Sequence, residues 1–176
     1  MQQVTDRNFG YLIAYILPGF VALAGLSAVL PTFDLWLSGI SGEDMPSIAG
    51  FMYVTLTSVG LGMTTSAIRF VVLDRINDLT GMPRPHWDDS KLQANFDAFR
   101  LIVDQHYRYY QFHGNMLVSL VIVYVARRWA NGFMFNDGIE FLLIPIGVVF
   151  WITARSNLTL YFRRSINLLG QDGDKS

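Results

Sequence analysis

His106 and His113 are the side chains best suited to chemistry near neutral pH, because imidazole changes charge between about pH 5 and 8. They stand seven residues apart, which on a helix is about 10.5 Å along the axis, too far for one ion held by nitrogens at about 2 Å. A helical zinc pair uses four-residue spacing. The two histidines therefore fit hydrogen-bonded packing with Tyr109, Tyr110 or Gln111, or a protonation switch, better than a metal site. Arg69, at the end of an apolar run, has two readings. It either snorkels to the inner membrane edge or centres a buried polar cluster with Gln111, His113 and Asn115. Arg69, His106, Tyr110, Gln111, His113 and Asn115 are thus the candidate polar cluster or pH switch.

Other chemistry is scarce. His86, Asp88 and Asp89 flank Trp87 and have ligand-like composition, but MPRPHWDDS reads more simply as a proline-stiffened turn that ends in a helix cap. The chain has no cysteine, which excludes disulfides, thiolate zinc sites and cysteine nucleophiles. It contains no Walker loop, dinucleotide glycine fingerprint, GxSxG elbow, HExxH pair or calcium loop. No catalytic, cofactor-binding or metal-binding residue is assigned, and the expectation is a protein that is not an enzyme and needs no cofactor.

The elements that position these residues follow from apolarity. Of 176 residues, 52% are hydrophobic and 15% charged, and the mean hydropathy of +0.32 favours a membrane protein. Fourteen acids against thirteen bases leave no basic surface for nucleic acid. About 20 apolar residues span a hydrocarbon core. The runs predict four transmembrane helices at about 9–30, 51–73, 109–127 and 139–155. Pro18-Gly19 should loosen the first, and Gly81 with Pro83 and Pro85 should stop the second after it has projected into water. The third is short unless YRYYQFHGN lies at the interface, and Arg155 should snorkel from the fourth.

Orientation follows from Lys and Arg. The segments 31–48 and 127–140 hold only Arg127 and Arg128, and the other eleven bases lie at the N-terminus, in 69–108 and in the tail. Both termini are expected in the cytoplasm of a multi-pass inner-membrane protein. Asp34, Glu43, Asp44, Asp137 and Glu140 are then external, with Trp36, Trp129, Phe133 and Phe135 as an outer aromatic belt.

Between residues 89 and 129 no proline interrupts the chain, so one helix about 60 Å long is expected, half of it outside the membrane. With the end of the second helix it forms a cytoplasmic stalk at 74–108, followed after the fourth span by an amphipathic tail at 156–169 lying on the headgroups. Leu92, Phe96, Phe99, Val103, His106, Tyr110, His113, Leu117, Leu120 and Tyr124 alternate steps of four and three. That is a heptad seam, packing either on Val72, Ile76 and Leu79 of the same chain or on a second subunit. Ser58, Gly62 and Ser66 form a small-residue ridge for close helix approach.

The expected fold class is an all-α integral membrane protein with four transmembrane helices and a cytoplasmic helical stalk. Three functions fit it. The first is a homo-oligomeric pore-forming or membrane-perturbing subunit controlled through the stalk. The second is a non-conducting anchor whose 74–108 stalk docks a cytoplasmic protein, and the third is an enzyme acting at the membrane interface. The partners expected are the lipid bilayer, further copies of the chain and a cytoplasmic protein.

Overall fold

The computed structural model describes the backbone of residues 2–41, 48–132 and 138–170, and every regular element in them is helical. Helix α1 (Gln2–Leu26) is followed by a turn and by α2 (Pro31–Ser41). Pro31 opens α2 at the position where a missing N–H leaves nothing unsatisfied. Ile13–Leu26 and Pro31–Ser38 meet at 116°, so the first apolar run, expected as one helix over 9–30, ends in a sharp bend, and part of the connection 31–48 is itself helical.

Helix α3 (Ile48–Leu79) carries no charge before Arg69. At Arg69–Leu73 it widens into a π-turn, where the N–H of Asp74 donates to the carbonyl of Arg69. It stops at Leu79, and Gly81 takes a φ of 87°, a left-handed conformation that glycine adopts without a Cβ clash.

The third long helix, α4 (96–131), is shorter than the expected 89–129 at its start. Asp88 accepts a hydrogen bond from the N–H of Ser90 and caps only the short turn Asp89–Lys91, and the chain turns again through 92–95 before Phe96 begins the helix. A second π-turn occupies Val103–Tyr107. Leu92 therefore lies outside the helix, and the four-and-three spacing does not run along one regular α-helix.

Helix α5 (Glu140–Leu169) runs without interruption through the expected fourth span and the expected amphipathic tail. Leu158, Tyr161, Ser165 and Leu169 are buried at helical spacing, so this tail packs on the protein itself.

Helix α1 packs along both α3 and α4, and α5 packs on α4. Among the described residues α3 and Phe141–Leu169 are long and apolar enough to cross a membrane, and the bent pair of α1 and α2 would make a third. In α4 the apolar run is diluted by Arg108, Gln111, His113, Asn115, Arg127 and Arg128. Of the expected outer belt, Trp36 stacks on Tyr53 at 5.4 Å and Trp129 is exposed. Phe133, Phe135, Glu43, Asp44 and Asp137 lie outside the described residues.

Candidate functional site: a buried polar knot

The site begins with a broken hydrogen bond. Pro18 lies inside α1 and has no N–H to give to the carbonyl four residues earlier, that of Ala14. In an apolar environment an unpaired carbonyl is costly, so a partner must come from elsewhere. Asn115 supplies it: its Nδ2 donates to the Ala14 oxygen at 3.0 Å. One turn later the hydroxyl of Ser119 donates to the Pro18 carbonyl at 2.8 Å. The four-residue step from Asn115 to Ser119 places both on the α4 face turned to α1.

The amide oxygen of Asn115 then receives Arg69. The Nε of Arg69 donates to Asn115 Oδ1 at 3.2 Å, while its Nη1 donates to Asp74 Oδ1 at 3.1 Å. The hydroxyl of Tyr110 donates to the same Asp74 oxygen, and Asn77 Nδ2 donates to the Tyr110 oxygen at 3.3 Å. The guanidinium also lies 4.9 Å from the centre of the Tyr110 ring. Only 2% of Arg69 is exposed, and Asn115 is fully buried. The π-turn makes the ion pair possible. Five residues on a regular helix are about 140° apart, but the extra residue brings Asp74 under Arg69.

Glycines admit this network. A Cβ at Gly114 would stand 2.6 Å from Arg69 Cδ, so the arginine stem passes over α4 where no side chain exists. Higher on α3, a methyl group at Gly62 would overlap the Tyr15 carbonyl, and one at Gly19 of α1 would overlap the Ser58 carbonyl. The Ser58 and Gly62 ridge thus receives α1 of the same chain, while Ser66 is half-buried beside it.

Of the residues singled out from the sequence, Arg69, Tyr110 and Asn115 come together. The others do not join them. His113 packs among the rings of Tyr109, Phe112 and Phe150, and Gln111 is half-buried outside the knot. His106 lies where α4 meets α5, near Asn157 and Arg164. Burial, followed by the charge of Arg164, lowers its pKa from the usual histidine value. Phe99 and Val103 pack on the aromatic cluster around Tyr161, Leu117 and Leu120 face α5, and Phe96 is exposed. Asp74, Asn77, Ser119 and Gly114 are the members that sequence reasoning missed. Asn115 and Ser119 carried a usable four-residue signal, but Asp74 did not.

The knot is closed at its centre, and only at its edge does Asn77 leave its Oδ1 buried without a hydrogen-bond partner. Each polar group of Arg69, Asp74, Tyr110 and Asn115 named above is used on another member or on an α1 carbonyl, which suits fixing three helices better than binding a ligand. No family model, curated protein or solved structure matches the chain. No group of three His, Asp or Glu able to hold a metal ion occurs among the described residues.

A second cluster lies beyond the knot. Trp87, Phe99, Tyr107 and Tyr161 pack ring against ring, with Trp87 and Tyr161 edge to face at 6.0 Å and Tyr107 and Tyr161 at 5.0 Å. Arg155 does more than reach for the interface: its Nη1 donates to Thr80 Oγ1 at 2.6 Å and its Nη2 to the Thr80 carbonyl at 3.3 Å, at the end of α3.

Proposed function

We propose that the chain is a multi-pass membrane anchor whose cytoplasmic helical end docks a protein partner, without conducting ions itself. In this reading α1, α3, α4 and α5 supply four passes, both termini face the cytoplasm, and the ends of α3 and α4 with the second half of α5 form the stalk. The observation that carries it is the exposure of apolar side chains where the chain is otherwise charged. Leu79 is 81% exposed and Phe96 and Leu101 each 57%, beside Asp78, Asp97 and Arg100. Large apolar side chains left in water gain from being covered, and they mark a contact surface. A pore within one protomer gains no support from Arg69, Tyr110 and Asn115, because Arg69 bonds to Asn115 and Asp74 and Tyr110 bonds to Asp74.

The test combines flux with contact mapping. The purified protein in liposomes should pass no ions between pH 5 and 8 once insertion is verified, and a photo-crosslinker at residue 96 or 101 in cells should capture one recurring cytoplasmic protein. Ion flux would overturn the non-conducting reading in favour of a pore. Crosslinks only to further copies of the chain would replace the foreign partner with a homo-oligomer.

A further inference from the structure

Two bases sit on the side where the charge asymmetry of the chain expects none. Arg127 and Arg128 are the only cations of 31–48 and 127–140. They follow Tyr124 by three and four residues, so all three share a face of α4, and Arg128 lies over the Tyr124 ring at 5.5 Å. Tyr124 also closes one end of an apolar groove between α4 and α5, with a volume of about 380 Å³. Leu117, Val121, Ile144 and Val148 line its walls, and Trp151 lies at the other end. Gly147 forms part of the floor, where a Cβ would meet only Leu117 Cδ1, at 3.7 Å.

From these features we infer that the groove binds the acyl chain of an anionic phospholipid, in the leaflet away from the stalk, with its phosphate at Arg127. The inference rests on the reading of α4 and α5 as membrane passes. The groove runs along the seven residues from Leu117 to Tyr124, about 10.5 Å, and its walls are apolar, which suits a methylene chain and offers it no polar competitor. Charge chooses the headgroup: exposed Arg127, three residues beyond Tyr124 on the same face of α4, complements a phosphate and its net negative charge.

Trp151 provides the readout. A variant retaining it as the sole tryptophan (Trp36→Phe, Trp87→Phe, Trp129→Phe) would be reconstituted in phosphatidylcholine vesicles containing a few per cent of phosphatidylglycerol with brominated acyl chains. Site binding predicts quenching several-fold above that expected from the mole fraction of brominated lipid. Gly147→Leu, which fills the floor without a backbone collision, should return it to the mole-fraction value. Arg127→Gln should remove the preference for brominated phosphatidylglycerol over brominated phosphatidylcholine. Quenching that tracks mole fraction in the parent, or that survives Gly147→Leu, overturns the site. A dimer that Gly147→Leu dissociates, with mole-fraction quenching in the parent, assigns the groove to a second copy instead. Protein that does not float with the vesicles contradicts the membrane reading itself, a failure separate from that of the groove.

Discussion

The two sides of α4 are held by different forces. Against α1 and α3 it meets glycines, backbone carbonyls and the Arg69 knot, and helix backbones come close enough that a methyl group at Gly25 would stand 2.7 Å from the Cα of Val123. Against α5 it meets an open apolar groove near one end and the aromatic cluster of Tyr107, Tyr110 and Tyr161 near the other. On the proposed topology this division follows the solvent. Lipid gives no hydrophobic drive for helices to associate, so the membrane part depends on close packing and hydrogen bonds. Water restores that drive, and α5 is fastened where it leaves the bilayer, through Leu158, Tyr161 and Leu169. Its first half, with Phe141 86% exposed and Val149 62% exposed, has only loose support from α4.

The contrast breaks most completely at the glycines. Gly62→Leu sets a side chain against the Tyr15 backbone carbonyl, which no rotamer change relieves, and should abolish the folded monodisperse protein in detergent. Gly60, two residues earlier and about 200° round the helix with open space around it, is the control, and Gly60→Leu should leave the melting temperature near the parent value. If the two variants behaved alike, close approach of α1 and α3 would not be what joins them.

Next in size is the knot. Arg69→Leu leaves Asp74 without its cation and removes the donor to Asn115 Oδ1, at a cost of about 3 kcal/mol, the lower end for a broken buried pair because Asp74 keeps 30% of its exposure. Denaturant titration in mixed micelles would measure it. The effect should spread over α1, α3 and α4, since all three helices meet at Asn115 and Arg69.

Tyr161→Ala sharpens the other side. Removing the ring at the centre of the aromatic cluster should cost about 3 kcal/mol, and hydrogen exchange should localise the loss to 152–169 and to the 82–99 connection while amides of α1 keep their protection. Loss of protection throughout the chain would mean that the two sides are one cooperative unit.

The smallest effect is that of pH. Burial lowers the His106 pKa in the folded chain, so the unfolded chain takes up a proton first as pH falls. Stability is therefore full above about pH 6.5, the unfolded value, and declines as pH drops from there through the folded pKa. His106→Gln should flatten that decline in melting temperature between pH 7.5 and 5.5.

The sequence made the helices legible wherever apolarity and period were enough. The uncharged stretch of α3, its stop at Gly81 and the Ser58 and Gly62 ridge are all local signals, read from composition or four-residue spacing. Depth along the apolar runs, and not spacing, links Arg69 with Asn115 and Tyr110, and only as neighbours at one level. Asp74 stayed hidden because a five-residue separation points away on a regular helix, and a π-turn leaves no periodic trace. The bend after Leu26 and the turns through 92–95 were also missed, since Asp88 and Pro31 mark where a helix can start without fixing how far the preceding one runs. The continuation of α5 to Leu169 reads as a surface tail in the sequence, because an amphipathic stripe has the same period whether lipid or protein covers it.

The claim on which the account turns is that Arg69 and Asp74 act as one intramolecular unit joining three helices. A double-mutant cycle of Arg69→Leu and Asp74→Leu, measured by reversible unfolding in mixed micelles, tests it most directly. A coupling energy of about 2 kcal/mol or more is predicted, with the double variant more stable than either single one. Additive losses, with no coupling within about 0.5 kcal/mol, would contradict it.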